Sequence, residues 1–116
     1  MLILHVEDDA LLARALVRHL KDHTIVHTAT MQEFRGVWDG SSKAPGGSFD
    51  LIITDMEFPG GNGLQVVEHA AAAGIPCLVF SGSADAEEVA SKGAKLVSKL
   101  DPAELVKLVG VIASER

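Results

Sequence analysis

Leu51-Ile52-Ile53-Thr54-Asp55-Met56-Glu57-Phe58-Pro59-Gly60-Gly61-Asn62-Gly63 is an apolar run that stops at a carboxylate and then turns. A short β-rich run bounded by turn residues reads as a buried parallel strand. Open α/β sheets bind ligands beyond the carboxyl ends of their strands, so Asp55 stands where such folds do chemistry.

Outward from this stretch, four more apolar runs fall at 2–6, 24–29, 77–80 and 95–98. They alternate with amphipathic segments at 10–21, 31–38, 63–73, 85–92 and 102–114. Strict strand–helix alternation predicts a parallel sheet with helices on both faces. Leu12, Leu16 and Leu20 form the expected buried stripe of the first helix, with Arg14 and Arg18 pointing away; Leu105, Leu108, Val109 and Ile112 do the same in the last. Asp101, Pro102 and Glu104 read as a helix start with a capping box. Ala73 followed by Gly74 reads as a helix stop, and Trp38 as packing at its helix end. The Gly- and Ser-rich stretch 39–48 is long for a helix-to-strand connection and reads as a surface insertion.

At 116 residues, with 47% hydrophobic and 22% charged, the chain suits one soluble domain over 1–116. Ten Lys+Arg against sixteen Asp+Glu leave a net charge of −6, which argues against direct nucleic-acid binding through a basic face. The same balance is compatible with a bound divalent cation. The lone Cys77, set in an apolar run, excludes an internal disulfide, reads as a core hydrophobe and fits a reducing cytoplasm. No signal peptide pattern follows Met1, and the apolar stretch 70–80 is broken by Gly74 and Pro76 and is too short to span a bilayer. A cytoplasmic protein without membrane partners is expected.

Chemistry concentrates at the strand ends. The first strand ends in Glu7-Asp8-Asp9, the third in Asp55, the fourth in Ser81 and the fifth in Lys99, and a parallel sheet gathers these at one edge. Adjacent carboxylates repel unless protonated or neutralised, and Mg²⁺ with one or two carboxylates and several waters relieves that repulsion. Lys99 adds a second positive charge and Ser81 a hydroxyl. Such a set suits phosphoryl transfer to a carboxylate nucleophile, a reaction governed by positioning and charge neutralisation. Asp9 reads as a helix-starting acid. Gly60-Gly61-Asn62-Gly63 has neither the Walker pattern nor GxGxxG and reads as a turn plus helix start. His5, His19, His23, His27 and His69 form no metal-like pair and read as surface or strand residues.

Glu7-Asp8 after the first strand, Asp55 with Pro59 and Gly63, Ser81-Gly82 after the fourth and Lys99 after the fifth resemble response-regulator receiver domains along essentially the whole chain. The resemblance implies a flavodoxin-like α/β fold, a five-stranded parallel sheet of order 2-1-3-4-5 with helices on both faces. It implies that Asp55 accepts the phosphoryl group and that Asp8, Asp55 and the Glu57 backbone carbonyl bind Mg²⁺, with Glu7 acting through water. Ser81 and Lys99 would contact the phosphoryl group, and small Gly82 would keep its access open. The implied donor is a histidine kinase or phosphotransfer protein, for which the Arg14 and Arg18 side of the first helix is a candidate docking surface. The implied recipient is a downstream protein partner or an output domain of a larger regulator. The domain would be no enzyme beyond its own phosphorylation and dephosphorylation.

The chain also departs from the family pattern. Leu100 follows Lys99 where the family usually has proline, often after a cis bond; a non-proline cis bond costs about 2.5–4 kcal/mol, so a trans bond and a rearranged turn are expected, with the reach of Lys99 in question. The family's aromatic switch residue falls at Leu96, and the chain has no tyrosine. The segment 81–99 is short, which shrinks the fourth helix. Glu57, two residues past the acceptor, is placed to affect attack of water on an acyl phosphate. The altered Lys99 turn and the missing aromatic motivate an alternative, a receiver-like interaction module that works without phosphorylation. A remoter alternative is a Mg²⁺-dependent aspartyl-nucleophile phosphatase, which would prefer a second Asp where Glu57 stands.

Overall fold

Every residue of Leu51–Thr54 is buried, and this strand, β3, sits at the centre of the sheet. The computed structural model describes residues 1–40 and 49–115. β1 (Leu2–Val6) lies between β3 and the edge strand β2 (Thr24–Thr28). On the other side of β3 come β6 (Cys77–Ser81) and the edge strand β7 (Lys95–Ser98). All four pairings are parallel. With a short hairpin of β4 (Glu57–Phe58) and β5 (Gly61–Asn62) set aside, the order β2-β1-β3-β6-β7 is the expected 2-1-3-4-5 arrangement, and the fold is flavodoxin-like.

Period-two alternation divides the core into two layers. Ile3, Leu51, Ile53, Leu78, Phe80 and Val97 pack with α1 (Ala10–His19) and α5 (Pro102–Ser114) through Leu16, Leu105 and Val109. Leu4, Val6, Ile52 and Val79 pack on the opposite face against α2 (Met31–Gly40), α3 (Gly63–Ala73) and α4 (Ala86–Ser91). There Phe34 stacks on Trp38 at 5.5 Å, and Trp38 is buried as expected.

Helix boundaries follow from capping. Asp9 Oδ1 accepts the N–H groups of Leu11 and Leu12 and starts α1. Asn62 and Gln65 form a reciprocal capping box on α3, and Gly74, at φ 71°, closes it in the left-handed conformation. Only half of the box expected on α5 forms: Asp101 accepts from the Glu104 N–H, while the Asp101 N–H bonds Ser98 O instead.

Three expectations need correction. α1 ends at His19, and its buried stripe uses Ala13 with Leu16, while Leu12 is 38% exposed. α2 runs on to Gly40, and the insertion expected over 39–48 lies, from 41 onward, outside the described residues. Between β3 and α3 the chain forms an unanticipated hairpin of β4 (Glu57–Phe58) and β5 (Gly61–Asn62), whose reversal at Gly60 needs φ 87°.

Gly63 is required by close approach. A Cβ there would stand 2.5 Å from the Asp55 carbonyl oxygen, and the Gly63 N–H donates to Met56 O at 2.7 Å. Gly63→Ala is therefore expected to cost about 2 kcal/mol by overpacking against rigid backbone, read by denaturant melts. Unchanged stability would show that the acceptor loop yields freely.

Candidate functional site

Parity and strand length assemble the site. Glu7, Asp55 and Lys99 each lie an even number of residues beyond the inward-facing Ile3, Ile53 and Val97, at the carboxyl ends of β1, β3 and β7. Their side chains therefore emerge on the α1/α5 side. Lys99 Nζ lies 2.8 Å from Asp55 Oδ2 and 3.0 Å from Glu7 Oε1. Asp55 Oδ1 accepts the Met56 N–H at 2.7 Å, and Glu7 Oε2 accepts the Asp9 N–H at 3.2 Å. Asp8 is exposed, and carboxylate oxygens of Glu7, Asp8 and Asp55 lie within 4.8 Å of one another.

Burial raises the Glu7 carboxyl above the usual carboxylate value; the Asp55 charge adds to this, and Lys99 and the Asp9 N–H oppose it. Burial would lower the Lys99 ammonium, but bonds to Asp55 and Glu7 outweigh it and raise the group above its ordinary value. One cation thus compensates two carboxylates, with negative charge left over beside exposed Asp8. Three hard oxygen donors at this spacing fit a divalent ion such as Mg²⁺.

The Leu100 departure does not remove Lys99 from the site. The described residues contain no cis peptide bond. The Leu100 N–H, absent in a proline, donates to Ser98 Oγ at 3.1 Å, and the Lys99 and Asp101 N–H groups go to Ser81 O and Ser98 O. Leu100 itself is 93% exposed. A turn bonded to Ser98 thus stands where the proline would, and Lys99 still reaches the carboxylates.

The remaining predicted residues spread around this centre. Ser81 ends β6, is buried, and its Oγ accepts the Ser83 N–H at 3.3 Å. Gly82 is exposed, and a Cβ there would meet open space. Glu57 begins β4 with its residue exposed, opposite Asn62. Leu96 is half-buried on β7 against the α2/α3/α4 layer, away from the carboxylates, and α4 is a single short helix of 6 residues. Cys77 is buried with its thiol pushed up to about 12, which makes it inert.

Sequence reasoning read His5 and His27 as surface or strand residues and missed their contact. His5 and His27 are strand residues paired across β1 and β2, with rings 5.8 Å apart. His5 is 2% exposed and its Nδ1 has no hydrogen-bond partner. Its parity with Ile3 and Glu7 along 3–7 was the available signal. Burial, then the His27 and Lys99 charges, lower the His5 pKa to about 3. A histidine depressed in the folded state contributes stability that is complete above its unfolded value of 6.5 and is lost as pH falls toward 3. Wild type is expected to lose about 3 kcal/mol between neutral pH and pH 4 from this residue. His5→Leu should flatten that limb of the stability profile, and an unchanged slope would sink the assignment.

A carboxylate cluster clasped by a lysine thus stands at the carboxyl edge of a 2-1-3-4-5 sheet. The sequence pattern of the response regulator receiver domain matches residues 3–109, and the chain belongs to that family, which serves two-component systems. It is 35% identical over 83 residues to the swarming motility regulation protein RssB of Serratia marcescens, covering 70% of this chain and 36% of that protein. The chain thus spans about a third of that curated relative. It is similar to a response regulator receiver protein from Pseudomonas putida, with 28% identity, TM-score 0.76 and 94% of each chain covered. A Francisella receiver domain shares the fold at TM-score 0.80 with 15% identity, covering 98% of this chain and 97% of that one.

Proposed function

We propose that the protein accepts a phosphoryl group on Asp55 from a histidine kinase or phosphotransfer protein, with Mg²⁺ bound at Glu7, Asp8 and Asp55, and that occupancy switches its affinity for a downstream partner or output domain. The observation that carries this reading is the Lys99 ammonium, held 2.8 Å from Asp55 Oδ2 and 3.0 Å from Glu7 beside three clustered carboxylates.

In the transfer, an Asp55 carboxylate oxygen attacks phosphorus, the bond from phosphorus to the donor atom breaks, and the donor leaves with the electron pair. Bound Mg²⁺ would supply charge neutralisation on the phosphoryl oxygens. Asp8 and Asp55 would hold it through side chains, Glu7 through water and Glu57 through its carbonyl. Lys99 offsets further charge, and Ser81 offers a hydroxyl donor from the neighbouring strand. Gly82 leaves the approach open. Leu96 stands at the position of the usual aromatic, so Ser81 and Leu96 would form a switch pair without a rotating phenol.

For the donor, α1 offers exposed Leu11, Leu12 and Val17 beside exposed Arg14 and Arg18. The negative net charge supports a protein rather than nucleic acid as partner, and buried Cys77 goes with a cytoplasmic setting. Among the described residues no helix is long and apolar enough to cross a membrane. The Lys99 contact weakens the phosphorylation-independent alternative, one of whose motives was the altered turn. Incubation with Mg²⁺ and acetyl phosphate tests the reading by intact mass. A single hydroxylamine-labile phosphoryl adduct is expected; its absence, together with no response to beryllofluoride, would overturn it.

A further inference from the structure

His27 lies on edge strand β2, outside the carboxylate cluster, yet its Nε2 is 2.6 Å from the backbone carbonyl oxygen of Glu7. A carbonyl only accepts, so Nε2 carries the proton and donates. The β1–β2 ladder ends just before this point: Glu7 N–H bonds Thr28 O at 2.9 Å, and β2 stops at Thr28. The imidazole therefore supplies a bond to a carbonyl one step past the last paired residues, Val6 and Thr28.

That carbonyl belongs to the peptide unit joining Glu7 to Asp8. Peptide units are planar, so a fixed carbonyl fixes the direction in which the Asp8 Cα leaves β1. Glu7 has independent anchors, since its carboxylate is bonded by Lys99 and by the Asp9 N–H. Asp8 is exposed, and the backbone plane it leaves from sets where its carboxylate points. The His27 ring is steadied in turn by the buried His5 ring, 5.8 Å away and tilted by 43°.

We propose that His27 is a positioning residue for the ion-binding acids: its Nε2–H holds the Glu7–Asp8 peptide plane so that the Asp8 carboxylate faces Asp55. The proposal rests on the phospho-acceptor reading above. Ligand-orienting partners outside the coordination sphere commonly contribute 10–100-fold to metal affinity, and about tenfold is expected here.

The test is Mg²⁺ titration by calorimetry of wild type, His27→Leu and His27→Gln, with Mg²⁺ alone as probe. His27→Leu should bind about tenfold more weakly, and His27→Gln, whose amide nitrogen can donate from a similar reach, should recover most of the loss. Equal affinity in wild type and His27→Leu would overturn the proposal, as would a His27→Gln variant no better than His27→Leu. Either result leaves the phospho-acceptor reading standing, whereas a wild type that binds no Mg²⁺ takes both down. A metal-free readout needs no variant: ¹⁵N spectra of the wild-type imidazole should show neutral His27 protonated at Nε2. A proton on Nδ1 alone would overturn the latch even if His27→Leu failed to fold.

Discussion

An Asp55→Asn variant is expected to fold like the wild type and to take up no phosphoryl group from acetyl phosphate. The substitution keeps the local geometry: the amide oxygen can still accept the Met56 N–H now bonded to Oδ1 at 2.7 Å, and Lys99 keeps Glu7 at 3.0 Å. It removes the one property the chemistry needs, an anionic oxygen able to attack phosphorus and form an acyl phosphate. Intact mass after incubation reads the result. An adduct that persists in this variant would move the nucleophile to Asp8 or Glu7 and sink the assignment to Asp55.

Lys99→Met should be the most damaging substitution for folding and chemistry together. The ammonium is 22% exposed and is bonded to two carboxylates that are 2% and 12% exposed. Removing one partner of a buried charge cluster leaves the others uncompensated, at an expected cost of about 3 kcal/mol near neutral pH. The rate of phosphoryl uptake should drop about a hundredfold, the usual scale for losing one preorganised charge at the reacting group.

The pH dependence gives the defect a signature. Without the lysine, the Glu7 carboxyl, already raised above 4.5 by burial and by Asp55, must rise further. An acid whose folded value is raised contributes stability below its unfolded value and loses it as pH rises. The gap between variant and wild type should therefore be small near pH 4 and widen toward pH 7. Millimolar Mg²⁺ should narrow it at neutral pH, because the variant, lacking the lysine charge on those carboxylates, should bind the ion more tightly and gain more stability from it. A gap independent of pH and of Mg²⁺ would show that Lys99 acts by packing alone.

The difference between reading residues and seeing them is clearest at Lys99. Read as a sequence, Leu100 in the place of proline put the reach of Lys99 in question. In the structure, the Ser98 hydroxyl accepts the N–H that a proline would lack, and strand parity from Val97 already aims the lysine at the α1/α5 side. The parity was available in the sequence; the Ser98 turn was not, because a side chain-to-backbone bond two residues long leaves no periodic trace. Leu12 shows a similar limit. Its spacing with Leu16 and Leu20 satisfies a helical stripe, but α1 packs with Ala13 buried and Leu12 exposed.

The contact between His5 and His27 was not foreseen for a related reason. In one dimension they are isolated histidines, 22 positions apart. Parallel pairing of β1 with β2 makes them neighbours, and the end of that ladder puts an imidazole against the Glu7 carbonyl.

The sequence by itself determined the α/β alternation, the strand that carries Asp55 and the acids and lysine that stand at the strand ends. These follow from periodicity and turn chemistry, which act between near neighbours along the chain. Only the tertiary structure decided that one lysine bridges Glu7 and Asp55, that the buried His5 Nδ1 has no hydrogen-bond partner and that His27 bonds the backbone carbonyl between Glu7 and Asp8. Those contacts depend on how far each strand extends past its neighbour and on which face its last side chain leaves. Register across the sheet sets both.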